Sequence, residues 1–201
     1  MDYKNEDKTL LILDIDETLI HATPKKLEKP FDFTVFNYFV YERPYLKEFF
    51  KKIKDHFLLA LWSSANDEYV EEIVKKIVPK NIKLEFVWAR SRCSFRRNFQ
   101  AIYDDYQNYG NYSSHYHFVK PLKKLKKKGY KLERILIVDD TPHKSKDNYG
   151  NAIYPTPFEG KDDDELLLLA NYLLTLKNKT NVRKIEKRGW QSQTTRNATN
   201  L

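Results

Sequence analysis

The sequence predicts an α/β fold with three layers, in which helices cover both faces of a central parallel sheet. Two observations favour this fold. Short, purely apolar runs recur along the chain and end in polar residues, and stretches of helical length separate them. The 201 residues are 41% hydrophobic, which is enough for one domain with its own core. We therefore expect a single domain over residues 1–180 and a polar, basic tail over residues 181–201.

Four apolar runs are the expected strands of this sheet. A strand that is buried on both faces has a continuous hydrophobic sequence rather than an alternating one. The runs are Leu10–Leu13, Phe57–Trp62, Phe86–Ala89 and Ile135–Val138. Because ligands in such folds bind beyond the carboxyl ends of the parallel strands, the polar residues that follow these runs should meet at one edge.

Helices are expected between the strands, with polar residues as candidate caps at Ser64 and Asn66. The helical stretches are Tyr45–Lys54, Asp67–Val78, Leu122–Lys128 and Asp163–Leu176. Strand, helix, strand is the order that a covered parallel sheet requires.

Two insertions interrupt this pattern. Residues 24–41 contain two strand-forming runs on either side of Asn37, which predicts a small hairpin. Residues 96–116 are rich in tyrosine; we interpret them as a partly ordered loop or one face of a short helix. We expect the chain after Arg183 to fray.

Composition narrows the classes of function. The single cysteine, Cys93, excludes internal disulfides and a multi-cysteine zinc site, and His115 and His117 do not complete a zinc set with it. A formal charge of +8 favours phosphorylated or polyanionic partners, with nucleic acid as one alternative. No apolar run is long enough to cross a membrane, and Met1–Lys8 does not resemble a targeting peptide. We expect no membrane partner and a cytoplasmic location, or a nuclear one in a eukaryote.

Asp14 and Asp16 are the candidate catalytic residues. They follow the first apolar run two positions apart, so an extended backbone would direct both carboxylates to the same side. A carboxylate that attacks phosphorus forms an acyl phosphate, and a second acid must protonate the leaving oxygen and then activate water. We predict that Asp14 is the nucleophile and that Asp16 is the general acid and base.

Two further acids, Asp139 and Asp140, follow the run Ile135–Val138. Carboxylates near a phosphate dianion would repel it, so a hard divalent cation with oxygen ligands is needed to offset the negative charge. The sequence therefore predicts a Mg²⁺ site that includes Asp139 and Asp140.

Several polar residues are candidate phosphate ligands. Ser63 and Ser64 lie between the second strand and a helix, where a hydroxyl and free backbone amides would bind an anion, although a helix cap is an equal alternative for Ser63. Thr18 follows the first acidic pair, and Lys120 follows the apolar pair Phe118–Val119. Lys120 would hold the phosphate as a point charge; its many neighbouring lysines are expected to be surface residues.

A family resemblance extends over about residues 8–178. Leu13–His21 resembles the first motif of the small phosphatases that act on the C-terminal domain of RNA polymerase II. These are the NLI-interacting-factor-like, or FCP1-homology, branch of the haloacid dehalogenase (HAD) superfamily. The other segments that resemble this family are Val40–Phe49, Leu61–Ser63, Trp88–Cys93, Val119–Lys120, Val138–Pro142, Gly150–Ile153 and Asp163–Leu166.

The resemblance implies a HAD-like Rossmannoid fold and Mg²⁺-dependent hydrolysis of phosphomonoesters through an aspartyl phosphate. It implies that Asp14 is phosphorylated and that Asp16 acts as acid and base. It further implies that Mg²⁺ is held by Asp14, the backbone carbonyl of Asp16, and Asp140. Arg90 would contact a flanking phosphate or acidic group of the substrate.

Two departures leave the substrate open. The family usually has asparagine where Asp140 stands, and the insertion at residues 96–116 is longer than its usual connection. The leading hypothesis is a phosphatase of phosphoserine or phosphothreonine in proteins or peptides. A phosphatase of nucleotide or nucleic-acid ends is one alternative, favoured by the basic charge and the tyrosines. A non-catalytic interaction module is another. In the hairpin, Phe31, Phe33, Val35 and Phe39 either line an apolar site for a proline or pack on the core.

Overall fold

The computed structural model describes residues 8–97, 116–148 and 150–193. In chain order the strands are β1 (Thr9–Leu13), β2 (Ile20–Thr23), β3 (Phe33–Val35), β4 (Tyr38–Glu42), β5 (Phe57–Trp62), β6 (Leu84–Trp88), β7 (Ser94–Arg97), β8 (Tyr116–Val119), β9 (Ile135–Val138) and β10 (Ala152–Ile153). The helices are α1 (Leu46–Ile53), α2 (Asp67–Ile77), α3 (Lys123–Lys126) and α4 (Glu165–Leu176).

A five-stranded parallel sheet in the order β10-β9-β1-β5-β6 forms the centre of the fold, which confirms the expected α/β class. Leu13, the last residue of β1, is in register with Leu61 on one side and Val138 on the other. The residues after β1 and β9 therefore lie at the same edge. The sequence did not reveal β10, because two residues are too short for a recognisable apolar run.

The two faces of the sheet pack against hydrophobic clusters of different size. Leu11 and Leu13 face a large core that includes the apolar sides of α1, α2 and α4. Leu10 and Ile12 face a smaller cluster, which contains Trp62, Trp88 and residues around α3. Since alternate residues of β1 are buried on both faces, the uninterrupted apolar sequence of this strand is explained.

The helices occupy the expected places with different ends. Asn66 caps α2, because its side-chain oxygen accepts the backbone N–H of Tyr69 at 2.8 Å. α3 covers only four residues of the seven expected, and Gly129 continues the chain with a positive φ of 88°. α4 begins two residues later than expected, and the carboxylate of Asp163 accepts the backbone N–H of Glu165, the first residue of the helix, at 3.2 Å.

The first insertion forms the expected hairpin of β3 and β4, and β2 joins it as a third strand that the sequence did not suggest. Phe36 and Asn37 connect the two strands, and Phe36 has a positive φ of 51°. Val35 and Val40 are buried in the large core. The hairpin is therefore anchored to the domain by its inward-facing side chains.

The ends of the second insertion pair as an antiparallel ribbon of β7 and β8, in which Phe95 is opposite Phe118. The ribbon was not expected from the sequence. Residues 98–115 lie outside the described part of the chain. The interpretation of the tyrosine-rich segment as a loop or helix face falls on these residues.

The chain after Arg183 does not fray as expected, as far as the structure describes it to residue 193. Trp190 is 2% exposed, packs on the ring of Tyr172 and donates its indole N–H to the carbonyl of Tyr154. Lys187 is buried and donates to three backbone carbonyls, those of Gly150, Val182 and Ile185. The buried side chains of Trp190 and Lys187 therefore hold this segment against the domain despite its polar composition.

Within the described ranges, no helix is long and apolar enough to cross a bilayer.

Candidate active site

Three carboxylates meet at the carboxyl edge of the central sheet. Asp14 follows β1, and Asp139 and Asp140 follow β9, the neighbouring strand. One oxygen from each lies within 4.8 Å of the others. These residues are far apart in the chain, and the register of β1 against β9 brings them together, as the sequence predicts.

Asp14 is almost completely buried, at 1% exposure. Its Oδ1 accepts the backbone N–H of Ile15 at 2.8 Å and lies 2.8 Å from the Nζ of Lys120. Its Oδ2 is buried and accepts no hydrogen bond from the described residues. The ammonium of Lys144 lies 3.8 Å from Oδ2. One oxygen is therefore fixed, and the other is open to a cation or a substrate.

Lys120 is the fully buried cation of the site. Its Nζ lies 2.8 Å from both the Oδ1 of Asp14 and the Oδ2 of Asp139. Burial lowers the pKa of Lys120, but the two carboxylates outweigh burial and raise it above its ordinary value. The lysine therefore stays protonated. Its five lysine neighbours in the chain, Lys123, Lys124, Lys126, Lys127 and Lys128, lie on or near the surface as expected.

Asp139 and Asp140 have different contacts. The Oδ1 of Asp139 accepts the backbone N–H of Thr141, and its Oδ2 accepts Lys120. The Oδ2 of Asp140 accepts the hydroxyl of Thr141, whereas its Oδ1 is buried without a hydrogen-bond partner among the described residues. Burial and the Asp14 charge raise the pKa of Asp139 to about 6 and raise that of Asp140.

This arrangement fits a hard divalent cation. Two buried carboxylate oxygens, the Oδ2 of Asp14 and the Oδ1 of Asp140, have no donor in the described structure. The three carboxylates carry more negative charge than the ammonium of Lys120 balances. Mg²⁺ prefers such oxygen ligands and is commonly held by one or two carboxylates. The residues are therefore suited to the expected ion.

Asp16 lies beside this cluster, but its side chain is not one of the three grouped carboxylates. Its Oδ1 accepts the hydroxyl of Tyr69 at 2.6 Å, and its Oδ2 accepts that of Ser63 at 3.1 Å. Burial raises the pKa of Asp16, while the hydrogen bond from Tyr69 lowers it. A contact of Asp16 with Mg²⁺ through its backbone carbonyl stays a prediction.

Thr18 connects the first acidic motif with the second. It is fully buried, and its Oγ1 accepts the backbone N–H of Asp140 at 3.2 Å. Its carbonyl accepts Arg43, whose buried guanidinium also bonds Asp163 and the carbonyl of Thr156. Thr18 thus has a structural role in this arrangement, and its predicted contact with phosphate stays a prediction.

Ser63 contacts Asp16, and the neighbouring Ser64 contacts Arg90. The hydroxyl of Ser63 accepts the backbone N–H of Ala65 and does not cap α2, so the cap alternative is wrong for this residue. The carbonyl of Ser64 accepts the Nε of Arg90 at 2.8 Å. The guanidinium of Arg90 lies over the ring of Phe118. Arg90 is therefore held in place while it remains exposed.

A cleft of about 620 Å³ opens beside Asp16, between the hairpin and the start of α2. The hairpin contributes Phe36, Asn37 and Tyr38, its connecting residues and the first residue of β4. The four apolar residues that the sequence suggested for a proline site do not line it; Val35 is buried in the core, for example. The other lining residues are Asp16, Glu17, Ala22, Ala65, Asn66, Glu68, Tyr69 and Arg90.

Two residues near the carboxylates were not identified from the sequence. Tyr69 lies in the first turn of α2, on the same helix face as the buried residues Val70 and Ile73, so its position in the sequence suggests only a core residue. Lys144 lies in the 3₁₀ segment Pro142–Asn148, beyond the residues that resemble the family's motifs. Only the fold places them beside Asp16 and Asp14. In the described part of the chain, the three aspartates form the one cluster of side chains that could bind a metal ion. Cys93 and His117 are not part of it.

Comparison with known proteins agrees with this geometry. The sequence matches the model of the NLI interacting factor-like phosphatases over residues 9–183. The chain belongs to this family. The resemblance that the sequence motifs suggested is thereby confirmed. The match includes every element that contributes an aspartate, Lys120 or Arg90 to the site.

Curated relatives of this NLI interacting factor-like phosphatase chain include "CTD small phosphatase-like protein 2" of Dictyostelium discoideum. It is 30% identical over 184 residues, which cover 88% of this chain and 29% of the relative. "Carboxy-terminal domain RNA polymerase II polypeptide A small phosphatase 1" of Homo sapiens is 25% identical over 81% of this chain and 57% of its own length. The chain thus spans about a third of the length of the first of these relatives and over half of the second.

Among solved structures, the fold is similar to that of Fcp1, described as an essential RNA polymerase II CTD phosphatase. The TM-score is 0.54 at 17% identity, over 95% of this chain and 62% of the other. Fission yeast Fcp1 bound to beryllium fluoride gives a TM-score of 0.52 at 19% identity, over 98% of this chain and 51% of the other. These likenesses confirm the HAD-like fold.

Proposed function

We propose that this chain is a Mg²⁺-dependent phosphatase that hydrolyses phosphoserine or phosphothreonine in proteins or peptides through an aspartyl phosphate on Asp14. One observation carries the proposal. The carboxylate of Asp14 is buried and held on one oxygen by Lys120, while its other oxygen, like the Oδ1 of Asp140 in the same cluster of aspartates, has no hydrogen-bond partner among the described residues. A carboxylate with only a structural role would have both oxygens satisfied.

Asp14 is suited to attack phosphorus. Lys120 and the backbone N–H of Ile15 fix the direction of its carboxylate, so little freedom is lost when the substrate binds. In the first step, a bond forms between a carboxylate oxygen of Asp14 and phosphorus, and the bond from phosphorus to the substrate oxygen breaks. Mg²⁺ held by Asp14 and Asp140 would offset negative charge on the phosphoryl oxygens, with Asp139 holding the ammonium of Lys120 beside them.

Asp16 is suited to transfer protons in both steps. Burial raises its pKa, which favours a protonated acid that can donate its proton to the leaving oxygen. In the second step, water attacks phosphorus, Asp16 takes a proton from that water, and the bond between Asp14 and phosphorus breaks. The hydroxyls of Tyr69 and Ser63 keep the carboxylate beside the cleft throughout.

The cleft supports a peptide substrate. It begins at Asp16 and extends between the hairpin and α2, with Tyr38 and Tyr69 as aromatic walls and Arg90 at one side. A phosphorylated side chain could reach Asp14 while flanking residues of the peptide occupy this cleft. Similar proteins named as phosphatases of the RNA polymerase II C-terminal domain support the same substrate class. We propose a cytoplasmic or nuclear location for this activity.

A phosphatase of nucleic-acid ends is the second candidate function. Arg90 lines the cleft, and Arg92, Arg96 and Arg97 follow it as exposed residues on the segment that leads through β7. Such a surface would attract a polyanion of either kind. The tyrosines that favour base stacking lie in residues 98–115, outside the described part of the chain.

Hydrolysis assays separate these functions. We expect Mg²⁺-dependent hydrolysis of an aryl phosphate by the wild-type chain and loss of that hydrolysis in Asp14→Asn, which keeps the size of the side chain. Substrate class is decided by comparing phosphopeptides with 5′- and 3′-phosphorylated oligonucleotides at two salt concentrations. Faster hydrolysis of oligonucleotides, with a steep fall at high salt, would overturn the peptide assignment. No hydrolysis of any substrate would favour a non-catalytic interaction module.

A further inference from the structure

Lys144 is a second cation at Asp14, and no motif assigns it a role. Its Nζ lies 3.8 Å from the Oδ2 of Asp14, whereas the Nζ of Lys120 lies 2.8 Å from Oδ1. Its side chain is 21% exposed, so it is mostly withdrawn from solvent. Within the described residues, Lys120 and Lys144 are the cations within 4.0 Å of Asp14.

Backbone hydrogen bonds hold Lys144 in this position. Its carbonyl accepts the backbone N–H of Lys120 at 2.9 Å, and its own N–H donates to the carbonyl of Thr141 at 3.1 Å. Asn148, at the end of the same segment, donates to the carbonyl of Lys120 and accepts the N–H of Leu122. The two lysines are therefore carried by one connected unit of backbone, unlike a mobile surface lysine.

The charges of the site explain the need for a second cation. Three buried or half-buried carboxylates, those of Asp14, Asp139 and Asp140, face one buried ammonium, and a phosphate dianion would add two further negative charges. Burial works against the charged forms of Asp139 and Asp140 and raises their pKa values, whereas the ammonium of Lys144 lowers them. With Mg²⁺ bound, that ion and Lys120 would together balance the three carboxylates, so the ammonium of Lys144 would offset charge of the bound phosphate.

We propose that Lys144 binds the transferred phosphoryl group at Asp14 together with Lys120 and offsets part of the negative charge of that group. This inference rests on the proposed phosphatase function. With Lys120 beside Oδ1 and Lys144 beside Oδ2, a phosphoryl group on either oxygen has an ammonium close by. The phosphoryl group would then be bound by two lysines. The sequence motifs identify Lys120, and only the fold identifies Lys144.

The test uses the variant Lys144→Gln, with Lys144→Arg as the conservative variant. Lys146→Gln is the matched control, because Lys146 lies in the same segment and is exposed. We expect Lys144→Gln to lower kcat/KM and the affinity for inorganic phosphate, measured with saturating Mg²⁺, by roughly 10- to 100-fold, the cost of losing a hydrogen bond to a charged group. Lys144→Arg should keep most of that affinity, and Lys146→Gln should match the wild type.

Mg²⁺ binding without phosphate separates this role from a folding defect. Removing a positive charge near Asp14 should leave the Mg²⁺ affinity equal or higher, since like charges repel. A damaged site would bind both Mg²⁺ and phosphate more weakly. Equal phosphate affinities of Lys144→Gln and Lys146→Gln, or weaker Mg²⁺ binding by Lys144→Gln, would overturn the proposal. If the wild type hydrolyses no substrate, the phosphatase function fails, and the phosphate-binding measurement still decides the role of Lys144.

Discussion

Arg43 is a buried residue that bonds the carbonyl of Thr18, next to the acidic cluster. Replacing it by methionine gives a quantitative test of the fold. Its side chain is 0% exposed, and its guanidinium bonds both oxygens of Asp163, at 2.7 to 3.1 Å. It also donates to the carbonyls of Thr18 and Thr156 at 3.1 and 2.9 Å. Methionine would fill a similar volume, but it would leave the two carbonyls without this donor and the carboxylate of Asp163 with only the backbone N–H of Glu165.

We expect Arg43→Met to lower the free energy of unfolding by about 3 kcal/mol. Breaking a buried ion pair costs roughly 3–5 kcal/mol, and the lower end applies because Asp163 is 30% exposed and water can partly solvate its carboxylate. Activity should fall as well, since Thr18 would lose the contact that holds its backbone near Asp140.

The neighbouring pair of Lys29 and Asp162 provides the control. Its Nζ–Oδ1 distance is 2.7 Å, but the two side chains are 35% and 79% exposed. Lys29→Met should therefore cost only about 0–1 kcal/mol. Urea unfolding followed by circular dichroism measures both variants. Equal losses in the two variants, or a loss below about 1 kcal/mol in Arg43→Met, would refute the reasoning about the buried guanidinium.

Two further variants test contacts at the site and at the C-terminal segment. Tyr69→Phe removes a donor to the carboxylate of Asp16, so the pKa of Asp16 should rise and the basic limb of the kcat/KM profile should move up by about one pH unit or more. Tyr38→Phe is its control, and an unmoved limb in Tyr69→Phe would contradict the assignment of Asp16 as the acid. Trp190→Ala should lower the free energy of unfolding by about 3–5 kcal/mol in the same urea assay, because the indole is buried and donates to Tyr154. A loss under about 1 kcal/mol would mean that this segment does not pack on the domain.

The sheet was predictable from sequence because its central strands are buried on both faces. β1, β5 and β9 occur where uninterrupted apolar runs stand, and their polar ends mark one edge. β2 and β10 are short and lack such a run, so only their pairing partners define them. The C-terminal segment was misjudged for a related reason: its polar composition outweighed one tryptophan, whose burial depends on a surface formed by distant residues.

The acidic residues of the site were predictable because each follows a predicted strand. Asp14, Asp139 and Asp140 meet as expected, and Lys120 pairs with two of them. Ser63 turned out to bond Asp16, and Thr18 to bond the backbone of Asp140, contacts that depend on distances across the fold. Lys144 and Tyr69 carry no local signal, because a lysine in a short 3₁₀ segment and a tyrosine on a helix have many ordinary uses.

A crystal structure with Mg²⁺ and beryllofluoride tests the central claim most directly. Beryllofluoride mimics a phosphoryl group on a carboxylate, so it should bind an oxygen of Asp14, with Mg²⁺ in contact with Asp14 and Asp140 and the ammonium of Lys120 beside the bound group. An unmodified Asp14, or a metal ion bound away from these aspartates, would contradict the claim that this carboxylate is the nucleophile.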